Sequence, residues 1–252
     1  MSGVNHLMRW PSGPTRTKAV SGSPFSPAIA FMRASFGQLP FGLSEACIAF
    51  DTPVTGGNVS FYNETAGNSI QPTPVVGVVG LVEDVAHTAG SLFLNAGEAI
   101  VLLGCEDFRF DGSLYLRRKT GKVAGQVVKA DAKRHAALCE LIVAGIEKGI
   151  VKTAHDVSEG GLLWAVAESV AGHGVGATLD NVVHDAADLF GEAPSMAFVT
   201  VKEADLSCLT LMAEDAGVQA VRIGTTGGDT LSVKNLFDIP VSDIVAASKK
   251  PL

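Results

Sequence analysis

Apolar positions recur at helical spacing in three long segments and gather into short continuous runs between them. Over 132–148, Leu138, Leu141, Ile142, Gly145 and Ile146 form one face, and Gly149 follows as a C-terminal stop, so a helix is expected. Leu163, Val166, Ala167 and Val170 repeat the pattern up to Gly172, with Ser158 as its N-cap, and 206–216 carries it a third time. Shorter helices are expected over 185–190 and 241–247. Another, with Leu43, Ala46, Cys47 and Phe50 on one side, is broken by Asp51-Thr52-Pro53. Strands are expected over 99–103, 151–154, 175–179, 196–201, 221–224 and 230–233. The run 75–82, valines and a leucine interrupted by Gly77 and Gly80, reads as a strand buried on both faces. Residues 107–130 show no period, and the basic run Arg117-Arg118-Lys119 within them reads as a solvated face. Strands and helices mix without a single βα repeat, which predicts an α+β sandwich rather than a Rossmann sheet.

Residues 1–40 break from this texture. Five of the eleven prolines lie there, among Ser, Gly, Thr and Arg, and the first carboxylate of the chain is Glu45. The segment is expected to be a disordered leader. Beyond residue 44, 15 of the 19 Lys and Arg face all 26 Asp and Glu. That acidic balance argues against a nucleic-acid surface. With 47% hydrophobic and 18% charged residues the chain can bury a substantial core. Cys47, Cys105, Cys139 and Cys208 have no paired spacing and read as reduced thiols of a cytoplasmic protein. No apolar run has the length of a membrane span.

Two stretches carry candidate chemistry. The first is Pro53-Val54-Thr55-Gly56-Gly57-Asn58-Val59-Ser60-Phe61-Tyr62-Asn63-Glu64, two glycines followed by amides, a hydroxyl, a phenol and a carboxylate. Glycines let backbone N–H groups approach a phosphate, and Asn58 and Glu64 offer oxygens of the kind Mg2+ takes. A hairpin whose Gly-Gly-Asn supplies positive φ values accounts for the same residues. The second is His155-Asp156-Val157-Ser158-Glu159-Gly160-Gly161, at a strand end and a helix start, where free N–H groups and the helix dipole favour an anion. A capped strand-to-helix turn, with His155 held by a backbone carbonyl, is the plainer account of the same residues. Ser158 lacks a nucleophile elbow, and the six histidines are too dispersed for a zinc site.

Three segments together resemble the phosphoribosylformylglycinamidine synthase family, in its synthetase subunit. They are Glu45-Ala46-Cys47 through Glu64; Pro72-Thr73-Pro74 with Gly77, Gly80 and Leu81; and Ala154 through Leu162, followed by Leu189-Phe190-Gly191-Glu192. Their order and spacing agree over 41–201. The resemblance implies an aminoimidazole ribonucleotide synthetase-like C-terminal α/β sandwich over 73–252. It is preceded over 41–72 by a truncated fragment of the N-terminal-type domain.

The resemblance also implies a reaction. ATP phosphorylates the formamide oxygen of formylglycinamide ribonucleotide, and ammonia from a glutaminase subunit or domain displaces phosphate to leave an amidine. By the same carry-over, Gly57 contacts ATP, Asn58 ligates Mg2+ and Ser60 contacts the ribonucleotide. His155, Asp156, Gly160 and Gly161 support a ligand phosphate or shape the cleft. The match covers only the C-terminal third of such synthetases. Ser23-Pro24-Phe25-Ser26-Pro27 stands where the family carries Asn-Phe-Gly-Asn-Pro, and Met196 where an arginine is common. The catalytic residues of the front half have no counterpart. The chain is therefore expected to be a truncated or frame-shifted reading, inactive alone and completed by a missing synthetase half in cis or in trans. A non-catalytic nucleotide-binding or assembly module of the same superfamily is the alternative.

Overall fold

The computed structural model describes residues 39–58, 64–65, 68–69, 75–104, 108–126, 130–181 and 185–249. They fall into two units, one within Met8–Val82 and the other within Glu83–Leu252. Helix α1 (Leu39–Ala49) opens the first unit. It ends as the proline downstream requires: Asp51 takes φ 48°, Thr52 N–H reaches the Cys47 carbonyl at 2.8 Å and Asp51 N–H that of Ile48 at 3.3 Å. This is the Schellman pattern with aspartate in the left-handed position. Strands β1 (Glu64–Thr65) and β2 (Asn68–Ser69) then pair antiparallel.

The strand expected over 75–82 does not form. Val75 and Val79 are 95% and 90% exposed, and Val76, Val78 and Leu81 are exposed as well. A strand buried on both faces needs neighbours for its edges and its side chains. The run gains no more than a single bridge at Leu81, with Gly80 and Val82 half-buried.

The second unit is built on a seven-stranded sheet. Its strands are β3 (Glu98–Leu103), β4 (Val151–Asp156), β5 (Ala177–Leu179), β6 (Ala197–Lys202), β7 (Ala220–Thr226), β8 (Thr230–Val233) and β9 (Phe237–Pro240). The spatial order is β4-β6-β3-β7-β5-β8-β9, antiparallel throughout except for β5 beside β8. Strand β3, buried along its whole length, lies between β6 and β7.

Alternation along the strands divides the core in two. Ile100, Leu102 and Phe198 join Phe93 under helices α4 (Gly161–His173), α5 (Ala186–Phe190) and α7 (Val241–Ser248). Ala99, Val101, Leu103, Val199 and Val201 meet α3 (Ala132–Glu147) and α6 (Leu206–Asp215) on the opposite face. The result is the expected sandwich, with helices on both sides of a mostly antiparallel sheet. At one end of β3 a polar chain is sealed in. Glu98, 4% exposed, accepts from Asn95 Nδ2 at 2.9 Å and from Thr200 Oγ1 at 2.7 Å. Because that donation uses the only hydroxyl hydrogen of Thr200, Thr153 is the donor in the 2.8 Å contact between the two threonines.

Residues 107–130 are not irregular throughout. Leu114–Thr120 forms helix α2, capped by Ser113, whose Oγ accepts from Leu116 N–H, and stopped by Gly121 at φ 70°. The basic run lies on it, exposed as expected. The short edge strand β9 is also absent from the periodicity, being only half-buried.

Candidate functional site

Gly57 and Asn58 belong to the N-terminal unit and are exposed. Neither Gly56, Gly57 nor Asn58 takes a positive φ, so these residues do not make the glycine-dependent hairpin turn. A Cβ built on Gly56 or Gly57 meets nothing within 4 Å. Neither backbone conformation nor packing among the described residues therefore demands glycine there. Ser60, together with residues 59 and 61–63, lies outside the described residues.

The second stretch is in the sheet unit, where β4 runs on through His155 and Asp156. His155 is held on three sides. Its ring stacks on Phe198 of β6 at 5.6 Å, its Nδ1 lies 2.7 Å from the Asp156 carbonyl oxygen, and its Nε2 lies 3.5 Å from Glu168 Oε2 on α4. Nδ1 thus carries the hydrogen, and Nε2 faces the carboxylate. Glu168 also accepts from Trp164 Nε1 at 3.1 Å.

Ser158 does not cap α4. Its hydroxyl donates backward to Asp156 Oδ2 at 2.8 Å, and the N-cap is Gly160, at φ 88° with no side-chain cap. The helix start is served from a distance. Glu192 Oε1 accepts from Gly160 N–H at 2.8 Å and, with the same oxygen, from Leu114 N–H of α2 at 2.8 Å. The anion that the free N–H groups call for is this internal carboxylate.

Both glycines are required here. Gly161 has φ 76°, and a Cβ on it would lie 2.8 Å from the Gly191 carbonyl oxygen and 2.9 Å from that of Leu189. On Gly160 it would meet Trp164 at 2.8 Å.

Beside this turn lies an open cleft of about 650 Å³. Among the described residues its lining carries Asp111, Glu159 and Glu192 against one guanidinium, Arg117, with Ser158 and Gln126 between them. Three carboxylates facing one cation do not suit a bare phosphate. The structure thus gathers His155, Asp156, Ser158, Gly160 and Gly161 around one strand-to-helix turn. Glu192 is the participant that local sequence rules miss, since it acts from 32 residues downstream of Gly160. The signal available was a glutamate after the α5 stop, Gly191-Glu192.

As to a metal, Asn58 supplies a single hard oxygen. Among the described residues no group of three or more His, Cys, Asp or Glu is placed to hold an ion. The described residues alone do not compose a complete Mg2+ site. Among the described residues no helix is long and apolar enough to cross a membrane.

Comparison with known proteins agrees with the architecture. PurL, a subunit of phosphoribosylformylglycinamidine synthase, from Anaeromyxobacter dehalogenans is 37% identical over 238 residues, covering 90% of this chain and 31% of its own length. The PurL of a Nocardioides species is 38% identical over 224 residues, covering 88% of this chain and 29% of its own length. The chain therefore spans about a third of the curated relatives it matches. Thermotoga maritima PurL, solved complexed with FGAR, superposes with a TM-score of 0.54 at 20% identity, over 63% of this chain and 29% of that one. Its complex with ATP gives 0.52 at 19% identity, over 66% and 28%. The description "AIR synthase related protein, C-terminal domain" matches residues 95–234, more than half of the chain and the whole span from β3 to β8. The chain belongs to that family, and the relatives it resembles over nearly all of its length are PurL subunits.

Proposed function

We propose that this chain is the C-terminal part of a cytoplasmic, ATP-dependent amidine-forming ligase. The reaction converts formylglycinamide ribonucleotide to formylglycinamidine ribonucleotide in purine biosynthesis. The observation that carries the reading is the 37% identity to a PurL subunit over 90% of the chain, an extent that takes in both polar stretches. In this reading Gly57 lies against ATP, Asn58 gives one oxygen to Mg2+ and Ser60 contacts the ribonucleotide. Among the described residues nothing packs against the Cα of Gly57 and its φ is not positive, so the open space around it is compatible with the close approach of a ligand. His155, Asp156, Gly160 and Gly161 shape the cleft rather than bind phosphate, because Glu192 already occupies the Gly160 N–H.

Phosphoryl transfer of this kind depends on positioning and on neutralising charge. With one metal-binding oxygen in hand, the chain needs carboxylates from the remainder of a synthetase, and ammonia from a glutaminase partner. Purified chain given formylglycinamide ribonucleotide, ATP, Mg2+ and ammonia is therefore expected to release no phosphate above a blank, and turnover overturns this. Calorimetry with ADP and Mg2+ tests the binding half of the reading. Binding abolished by Asn58→Ala supports it, whereas unaltered binding in that variant removes Asn58 from the site.

A further inference from the structure

Residues 108–126 form an excursion closed upon itself. Gly112 N–H reaches the Ala124 carbonyl at 2.8 Å, and Gln126 N–H reaches Asp111 Oδ1 at 3.1 Å. Gly125, at φ 110°, lies so close to Asp111 that a Cβ would fall 2.1 Å from its carboxylate. Helix α2 sits inside this loop, and Tyr115 stacks on Phe110 at 4.7 Å. Ends that meet, with an internally packed centre, make such a segment move as one body.

Its attachments converge on three consecutive residues. Tyr115 stacks on Phe190 at 5.3 Å, Gly191 abuts Phe108 and Arg109, and Glu192 N–H bonds to the Arg109 carbonyl at 2.8 Å. Glu192 Oε1 then joins Leu114 N–H on the excursion to Gly160 N–H on α4. The cleft lies across this same seam. Gly112, Leu114, Arg117 and Gln126 line one wall, and Ser158 and Pro194 belong to the other.

The geometry points to residues 108–126 as a flap over the cleft, and to the Glu192 carboxylate as its latch. One oxygen ties the flap wall to the Gly160 N–H at the start of α4, next to Ser158 and Glu159 of the body wall. When that oxygen leaves, both amides lose their partner at once, and the flap is left to its Phe190 stack and its Arg109 backbone bond while the sheet beneath stays intact. The His155–Asp156–Ser158 turn, contiguous with Gly160, is thereby linked to the position of the flap. Glu192 acts here as a positioning residue.

The exposed Arg117, Arg118 and Lys119 supply the test, since trypsin reaches them productively only when α2 opens. In the full chain, Glu192→Ala is expected to raise cleavage at these sites, and amide exchange at Leu114 and Gly160, about tenfold or more, the effect of losing hydrogen bonds to a charged acceptor. Amides of Ile100 and Val199 in the central strands are expected to exchange as in the parent chain. Glu192→Gln keeps an oxygen acceptor without the charge, so an intermediate rate is expected, and it stands in if the alanine variant does not fold. Unchanged cleavage at 117–119, or acceleration that extends equally to Ile100 and Val199, overturns the latch.

Discussion

Burial around Cys139 on α3 pushes its thiol above the ordinary range, and the adjacent Glu140 carboxylate adds to the shift. The thiolate is the reactive form, so at neutral pH this cysteine is held in its inert state. Exposed Cys208 on α6 has no such shelter. Iodoacetamide at pH 7.5 is therefore expected to label Cys208 at least about tenfold faster than Cys139, read by peptide mass spectrometry; equal rates overturn the assignment. Linkage fixes the accompanying sign. A folded-state pKa above the unfolded one means that the unfolded chain gives up its proton first as pH rises. The contribution of Cys139 to stability is thus whole below the ordinary thiol pKa and declines above it.

At the level of elements, the α4 start separates local from distant causes. Because Ser158 turns back to Asp156, Ser158→Ala is expected to change stability by no more than about 0.5 kcal/mol, less than the ~1 kcal/mol typical of a lost N-cap. Gly161→Ala faces both a left-handed φ and carbonyls under 3 Å away, and is expected to cost at least about 2 kcal/mol in urea melts. Similar costs for the two variants contradict this account. The same contrast marks what sequence can disclose. Helix α3 was legible because its cues are local: Asp131 accepts from Lys133 and Arg134 N–H, the apolar stripe is regular, and Gly149 ends it. Helix α2 had both caps in view, Ser113 and Gly121, but no side chain between them is buried, so periodicity carried no sign of it. The Glu192 cap was illegible for the reverse reason, since its partners come from two other segments. His155, Asp156 and the glycine pair were found through their types and spacing, yet their partners Phe198, Glu168 and Glu192 belong to tertiary structure.

For the whole molecule the run 75–82 is the main departure. Its apolarity was read correctly, but apolarity does not reveal whether strands exist to cover it. Val75, Val76, Val78, Val79 and Leu81 stand exposed within the N-terminal unit. Contiguous exposed apolar surface of this kind drives association. The purified chain is expected to self-associate at tens of micromolar, and Val76→Lys with Val79→Lys to return it toward monomer in light scattering. A monodisperse parent chain across that range counts against the reading.

The central place of β3 has a further consequence, for synthesis. Its neighbours in space are β6 and β7, whose residues follow it by roughly a hundred positions or more. At translation rates of about 5–20 residues per second, the most apolar strand of the sheet leaves the ribosome about 5–20 seconds before either partner has been made. Throughout that interval β3 lacks both of its neighbours in the sheet, since β4 and β5, made in the meantime, do not pair with it. The order in which the chain is built therefore leaves its central apolar strand unpaired on both edges until most of the domain has been synthesised.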